Sequence, residues 1–198
     1  MRSLFLFFIG FIALSFSFHS ALANASTHTS GHAKLYHQNQ ENLQHDGMIE
    51  IEHSKILKSA IIHGYLKAEH TQFQNLKISG NASLDNDKVL GSFALEGNLD
   101  ADETVFENDA LIRGFIRSEN CHFNKELLLY SNRAEFEDSF LTKLIFEKTS
   151  DHHIQHLYLE NTIITGDVEF KQSGGIIHMD KASTIKGKMI GATIELDE

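Results

Sequence analysis

The chain has 198 residues, 41% of them hydrophobic, with 27 acidic against 17 basic residues, one cysteine and no proline. That length suits one domain with a real core. A formal net charge of −10 repels phosphate backbones and argues against nucleic acid as a partner, and a lone cysteine excludes an internal disulfide.

Residues 1–23 read as a signal peptide. Met1-Arg2 is a short basic start, Leu4 to Phe18 is almost continuously apolar, and Ala21-Leu22-Ala23 fits the small-x-small cleavage rule. Cleavage after Ala23 removes Arg2 and leaves 16 basic against 27 acidic residues. The expected localisation is therefore export, to the periplasm or the extracellular space. No later apolar run is long enough to span a bilayer, so no membrane span is expected after cleavage. Residues 24–44 read as a polar linker containing His28, His32 and His37. His28 and His32 have the i, i+4 spacing of a helical metal pair, but the surrounding Ser, Thr, Gly, Asn and Gln favour a linker.

Residues 45–198 carry a repeat. Gly47, Gly64, Gly80, Gly97, Gly114, Ser131, Lys148, Gly166 and Gly187 form a column with steps of 16 to 18 residues, the last being 21. Two residues earlier stand Ile62, Ile78, Leu95, Ile112, Leu129, Phe146, Ile164 and Ile185. Two residues later stand Ile49, Leu66, Ala82, Leu99 and Ile116, then Arg133, Ser150, Val168 and Met189. Nine residues later stand Ile56, Phe73, Val89, Phe106, Phe123, Phe140 and Leu157. Apolar residues at even offsets are a strand pattern, and its return at a longer fixed period marks a repeat architecture.

About seventeen residues hold three short strands and three corners. Stacking such coils at roughly 4.8 Å buries their inward side chains in one column. The predicted fold is all-β, a single-stranded right-handed parallel β-helix (a solenoid) with about 17-residue coils. A β-sandwich also alternates, but would not hold residue type in four columns. The absence of proline agrees, because proline lacks the N–H a central strand donates. Phe106 and Phe123 are expected to stack inside. At Arg133 to Glu137 the pattern offers a second register, with Ala134 and Phe136 inward after a bulge.

Five residues after the glycine stand Glu52, Glu69, Asp85, Asp102 and Glu119. Neighbours in this ladder would lie about 5 Å apart and raise each other's proton affinity. Hard oxygen ligands in a row suit a divalent cation such as Ca²⁺; the alternative is a solvated, salt-screened corner. Asp151, His152, His153 and His156 form a second candidate cluster, incomplete as a four-ligand metal site. Cys121 reads as a small repeat residue, because His122 points to the opposite face of a strand. No G-x-S-x-G, HExxH or P-loop spacing is present. No resident cofactor is expected, and near-minimal coils leave little loop to wall a catalytic cleft.

The corners Ile112-Arg113-Gly114-Phe115-Ile116, Ile164-Thr165-Gly166-Asp167-Val168 and Ile185-Lys186-Gly187-Lys188-Met189-Ile190-Gly191 resemble those of the bactofilins. The resemblance spans about residues 46–196. It implies a right-handed, three-sided β-helix of short coils and a polymer-forming role. Bactofilins are typically cytoplasmic with bare apolar ends, whereas this chain has an export leader and finishes Glu195-Leu196-Asp197-Glu198. Two functions are expected from these features. One is a non-enzymatic structural or binding protein of the cell envelope, a homo-oligomer or envelope component that self-associates end to end. The alternative is a carbohydrate-active β-helix enzyme with a shallow surface groove.

Overall fold

A computed structural model of the chain describes residues 26–149, 153–172 and 174–196. The proposed leader and the residues Asp151 and His152 lie outside that set. The described chain is all-β, with 21 strands and every pairing between them parallel, wound into a β-solenoid of about ten coils. Each regular coil contributes three strand segments, for example Phe93–Glu96, Leu99–Asp102 and Val105–Phe106. Each segment pairs with its equivalents 16 to 18 residues away. The coil therefore has three sides, joined by a glycine corner, a polar corner and a third corner.

Alternation fills the interior. Side one buries Ile62, Ile78, Leu95, Ile112, Leu129 and Phe146. Side two buries Ile49, Leu66, Ala82, Leu99 and Ile116; side three buries Ile56, Phe73, Val89, Phe106 and Phe123. Phe106 and Phe123 stack with ring centroids 4.6 Å apart and planes 8° from parallel, and Phe93 packs against Phe106 from side one at 4.9 Å with its ring tilted by 50°. Offset stacking at this spacing adds to the burial of each ring.

At the glycine corner the chain bends from side one to side two, and successive coils touch backbone to backbone. Gly97 and Gly114 have φ of +143° and +140°, where a side chain is strained. A Cβ on Gly114 would lie 2.1 Å from the carbonyl oxygen of Gly97. Residues 47 and 64 are likewise paired across strands, as are 64 and 80.

The structure corrects the columns beyond Gly114. One residue is inserted at Ser131-Asn132, since Arg113 pairs with Tyr130 but Ile116 pairs with Ala134. Ala134 and Phe136 are buried and Arg133 is exposed, which is the second register offered by the sequence. Side three shifts as well: Phe123 pairs with Leu141, and Phe140 turns outward against His122 with rings 5.8 Å apart. Leu157 belongs to side two, beneath Ile177, not to side three. The larger insertion lies between Phe146 and His156, where the glycine corner opens into a loop. Gln155 plugs that corner, its Nε2 donating to the carbonyls of Ser131 (3.0 Å) and Glu147 (2.8 Å). Past this loop Ile164 and Ile185 stack on side three, Phe170 takes the place over Phe146, and Val168 and Met189 join side one. Gly166 and Gly187 consequently sit at the third corner, over Thr142. A fixed offset from a glycine cannot register an insertion, so every column read through residues 131–156 was displaced.

The polar segment read as a linker over residues 24–44 is also corrected. Ser26–Tyr36 is a strand paired residue for residue with Asn42–Glu52, and a second strand begins at Asn39. The solenoid thus starts about twenty residues before the predicted boundary at 45. A terminal coil has one solvated face, so backbone pairing with the next coil can hold it without a full set of apolar residues.

Candidate functional site

The polar corner between sides two and three is where the chemistry-bearing residues gather. Its first residue lies in the left-handed region in eight coils: His37, His53, His70, Asn86, Glu103, Asn120, Asp138 and Asn161, with φ from 45° to 53°. Asn, Asp and His tolerate that conformation better than most residues. Their recurrence six residues after the glycine, as His53, His70, Asn86 and Asn120, was the signal that sequence reasoning missed. The rings of His37, His53 and His70 stack on consecutive coils, with centroids 5.1 and 4.9 Å apart.

This turn leaves one amide per coil pointing inward, and a buried N–H must find an acceptor. A second ladder supplies it from the next coil. The amide of Gln38 donates to Ser54 Oγ (3.0 Å), that of Cys121 to Ser139 Oγ (3.1 Å), and that of Thr162 to Ser183 Oγ (3.1 Å). Thr71, Thr104 and Thr162 accept in the same way from Ser54, Asp87 and Ser139. The hydroxyls of Ser54, Thr71, Thr104, Ser139 and Thr162 donate to the carbonyl two residues earlier. Each small polar side chain thus serves two coils.

Two members depart from the hydroxyl pattern. Cys121 is fully buried and accepts from the Thr104 amide at 3.4 Å. Burial pushes its thiol up to about 11, so the thiolate required for nucleophilic chemistry is scarce. Asp87 is buried and accepts from the amides of Thr71 (2.6 Å) and Asp85 (3.2 Å). Burial raises its carboxyl to about 8; the two amide bonds oppose that rise without cancelling it.

The predicted acid ladder lies immediately before this corner. Glu52 pairs with Glu69, Glu69 with Asp85, Asp85 with Asp102, and Asp102 with Glu119. The row continues through Glu137 and Glu160, which sequence reasoning missed because the inserted residue at the glycine corner displaced them. The side chains are not left to each other alone. Lys34 Nζ donates to Glu52 at 2.6 Å and reaches Glu50 at 3.3 Å, and Asn120 Nδ2 donates to Asp102 at 3.3 Å. The Lys34 hydrogen bond holds Glu52 below the usual carboxylate range, opposite to the expected mutual raising. Among the described residues no three His, Cys, Asp or Glu side chains are grouped to hold a metal ion. A divalent ion on this ladder would therefore bridge two carboxylates and keep water for its remaining ligands, as hard cations do.

The expected result for that arrangement is a calcium-specific stabilisation. Millimolar Ca²⁺ should raise the melting temperature more than NaCl of matched ionic strength, because specific binding acts by mass action and screening does not. Asp85→Asn/Asp102→Asn should remove the difference. Equal shifts from the two salts would leave a solvated polar corner.

Beside the corner an open groove of about 440 Å³ is lined by residues including His53, Lys55, His70, Gln72, Asn86 and Lys88. Its lining also includes Asp87 and Glu103 and the hydroxyl residues Ser54 and Thr71, whose hydroxyls are engaged with backbone groups. Of the second sequence cluster, His156 lies on the strand His156–Glu160 of side two. Among the described residues no helix is long and apolar enough to cross a membrane. No protein-family model, curated protein or solved structure matches the chain.

Proposed function

We propose that this chain is an exported, non-enzymatic β-helix protein with a structural or binding role in the cell envelope, self-associating end to end in the manner its bactofilin-like corners suggest. The observation that carries the reading is the character of the last coil. Met189, Ile190, Ile194 and Leu196 are exposed there, Leu196 at 69%. Ile194 and Leu196 continue the inward column of side two above Ile177 and Met179. Among the described residues, Ala192–Leu196 pairs only with Gly175–Met179, and Ser26–Tyr36 only with Asn39–Glu52.

An unpaired strand edge is a template for further pairing. All strands run parallel, so the first coil of one copy is the natural continuation of the last coil of another. Such a contact is heterologous and propagates into a filament unless the rotation closes it. The first coil offers Ala33 and Leu35, partly buried against the core, and the basic or titratable groups His32 and Lys34. Export rests on the apolar leader and the Ala21-Leu22-Ala23 motif.

Size-exclusion chromatography and negative-stain microscopy of the cleaved protein test this directly. Filaments or ordered oligomers that Ile194→Lys/Leu196→Lys disperses are the expected result. A discrete monomer that cleaves or modifies glycans in an activity screen would favour an enzyme and overturn the reading.

A further inference from the structure

Near the end of the solenoid, two histidines from neighbouring coils meet on the outer face of side two. His156 lies on His156–Glu160 and His178 on Gly175–Met179, strands paired with Tyr158 opposite His178. The rings are 12° from parallel, and His156 Nδ1 lies 3.1 Å from His178 Nε2. We propose that these two nitrogens form a binding site for a divalent transition metal of the imidazole-preferring class, Cu²⁺, Ni²⁺ or Zn²⁺, completed by water.

The separation fits. Two metal–nitrogen bonds of ~2.0–2.1 Å place their nitrogens about 2.9 Å apart at a right angle and about 3.3 Å apart at a tetrahedral angle. The observed 3.1 Å lies between these, so the nitrogens are already at chelating separation, and entry requires each ring to turn its lone pair roughly 40° off the line joining them. The other side of His178 is already arranged. Its Nδ1 lies 3.4 Å from Glu195 Oε2; a carboxylate on that side favours the Nδ1–H tautomer, which leaves the Nε2 lone pair for a metal. With His178 in that tautomer, the contact between the two rings has His156 Nδ1–H as its donor. Metal binding requires only that the His156 proton move to its own Nε2, so a neutral pair releases no net proton.

The rings are also held in place. Tyr158 stacks on His178 with centroids 4.4 Å apart and planes 8° from parallel. Arg133 covers Tyr158 with its guanidinium carbon 4.4 Å from the ring centre, and the same guanidinium is paired with Glu135 at 2.5 Å. That ion pair offsets the positive charge of Arg133. The side chain of His178 is 15% exposed, so its conformational freedom is largely lost before a metal arrives. Imidazole donors and the usual stability order favour Cu²⁺ over the other two.

The test uses the cleaved protein at neutral pH, titrated with Zn²⁺ by calorimetry and with Cu²⁺ by electron paramagnetic resonance. The expected result is one site whose copper spectrum reports two nitrogen donors. His156→Gln should lower affinity by more than about tenfold, the least loss associated with disturbing even an orienting partner. Glu195→Gln should weaken binding less. His28→Gln/His32→Gln, a pair of histidines at the other end of the solenoid, should leave the site unchanged. His156→Gln keeps the Tyr158–His178 stack and the Glu195 contact, and an unchanged metal-free melting temperature verifies its fold. An affinity and spectrum unaltered in His156→Gln, or lost equally in the His28→Gln/His32→Gln control, overturn the site.

Discussion

Gly114→Ala is expected to destabilise the protein far more than Gly31→Ala, although both replace a glycine of positive φ in one column. Gly31, in the first coil, has φ of +86° and nothing within 4 Å of a built Cβ; Gly114 has φ of +140° and the Gly97 carbonyl oxygen at 2.1 Å. Gly31→Ala therefore pays backbone strain alone, about 1–2 kcal/mol for a left-handed residue. Gly114→Ala adds a contact that only movement of a neighbouring coil's backbone relieves. That movement breaks coil-to-coil hydrogen bonds on both sides, so the loss should exceed the roughly 4 kcal/mol that marks an exceptional substitution. Ser131→Ala, in the same column where the corner has widened, removes a hydroxyl that donates to the Arg133 carbonyl at 2.6 Å. The same oxygen accepts from the Arg133 amide at 3.1 Å, and losing the two bonds at this partly solvated corner should cost about 1–2 kcal/mol. Chemical denaturation of the three variants gives the order. Equal costs for Gly31→Ala and Gly114→Ala would mean that close coil contact is not what the column encodes.

The part of the fold that was legible in the sequence is the part where coil length is constant. From Gly47 to Phe123 the glycine, apolar and acidic columns each meet residues of their own kind 16 or 17 places later, so periodicity and pairing coincide and the acid ladder falls in register. Beyond Ser131 the same inward residues exist, but insertions at a solvent-facing corner change the count without changing the core. Ala134, Leu157 and Ile177 follow one another at intervals of 23 and 20 residues and still stack. No fixed period finds them. The first coil was hidden for a different reason. Ser26–Tyr36 is held by backbone pairing and by contacts such as His28 to Asp46 at 3.0 Å and Lys34 to Glu52 at 2.6 Å, which composition reads as a polar tail. The inward ladder of Ser54, Thr71, Asp87, Thr104, Cys121, Ser139, Thr162 and Ser183 changes residue type while keeping one role, accepting an amide. A column defined by hydrophobicity passes over it.

Asp87 is the member of that ladder whose role depends on pH. Its neighbours in the column carry a neutral hydroxyl or thiol, whereas a carboxylate there is buried with only the amides of Thr71 and Asp85 donating to it and with the charges of Asp85 and Glu69 nearby. The folded-state value of about 8 stands far above the 3.8 of an ordinary aspartate carboxyl. The sign follows from linkage. The folded protein holds a proton that the unfolded chain has released between these values, so this group's stabilising contribution is complete below about pH 4 and falls as pH rises toward and through 8. The slope is at most about 1.4 kcal/mol per pH unit, the value for one proton. Wild-type stability should therefore decline from pH 5 to pH 8. Asp87→Thr, which places the same group as Thr71 and Thr104 in the column, should flatten the decline and be the more stable protein at pH 8. The exposed acids do not blur the comparison: Glu52, lowered by Lys34, contributes in the opposite sense, with stability lost as pH falls through its folded value, and is common to both proteins. Parallel denaturation curves at each pH unit decide the matter. A difference between Asp87→Thr and wild type that stays constant from pH 5 to 8 would show that Asp87 is ionised in the folded state throughout, its charge satisfied by the Thr71 and Asp85 amides.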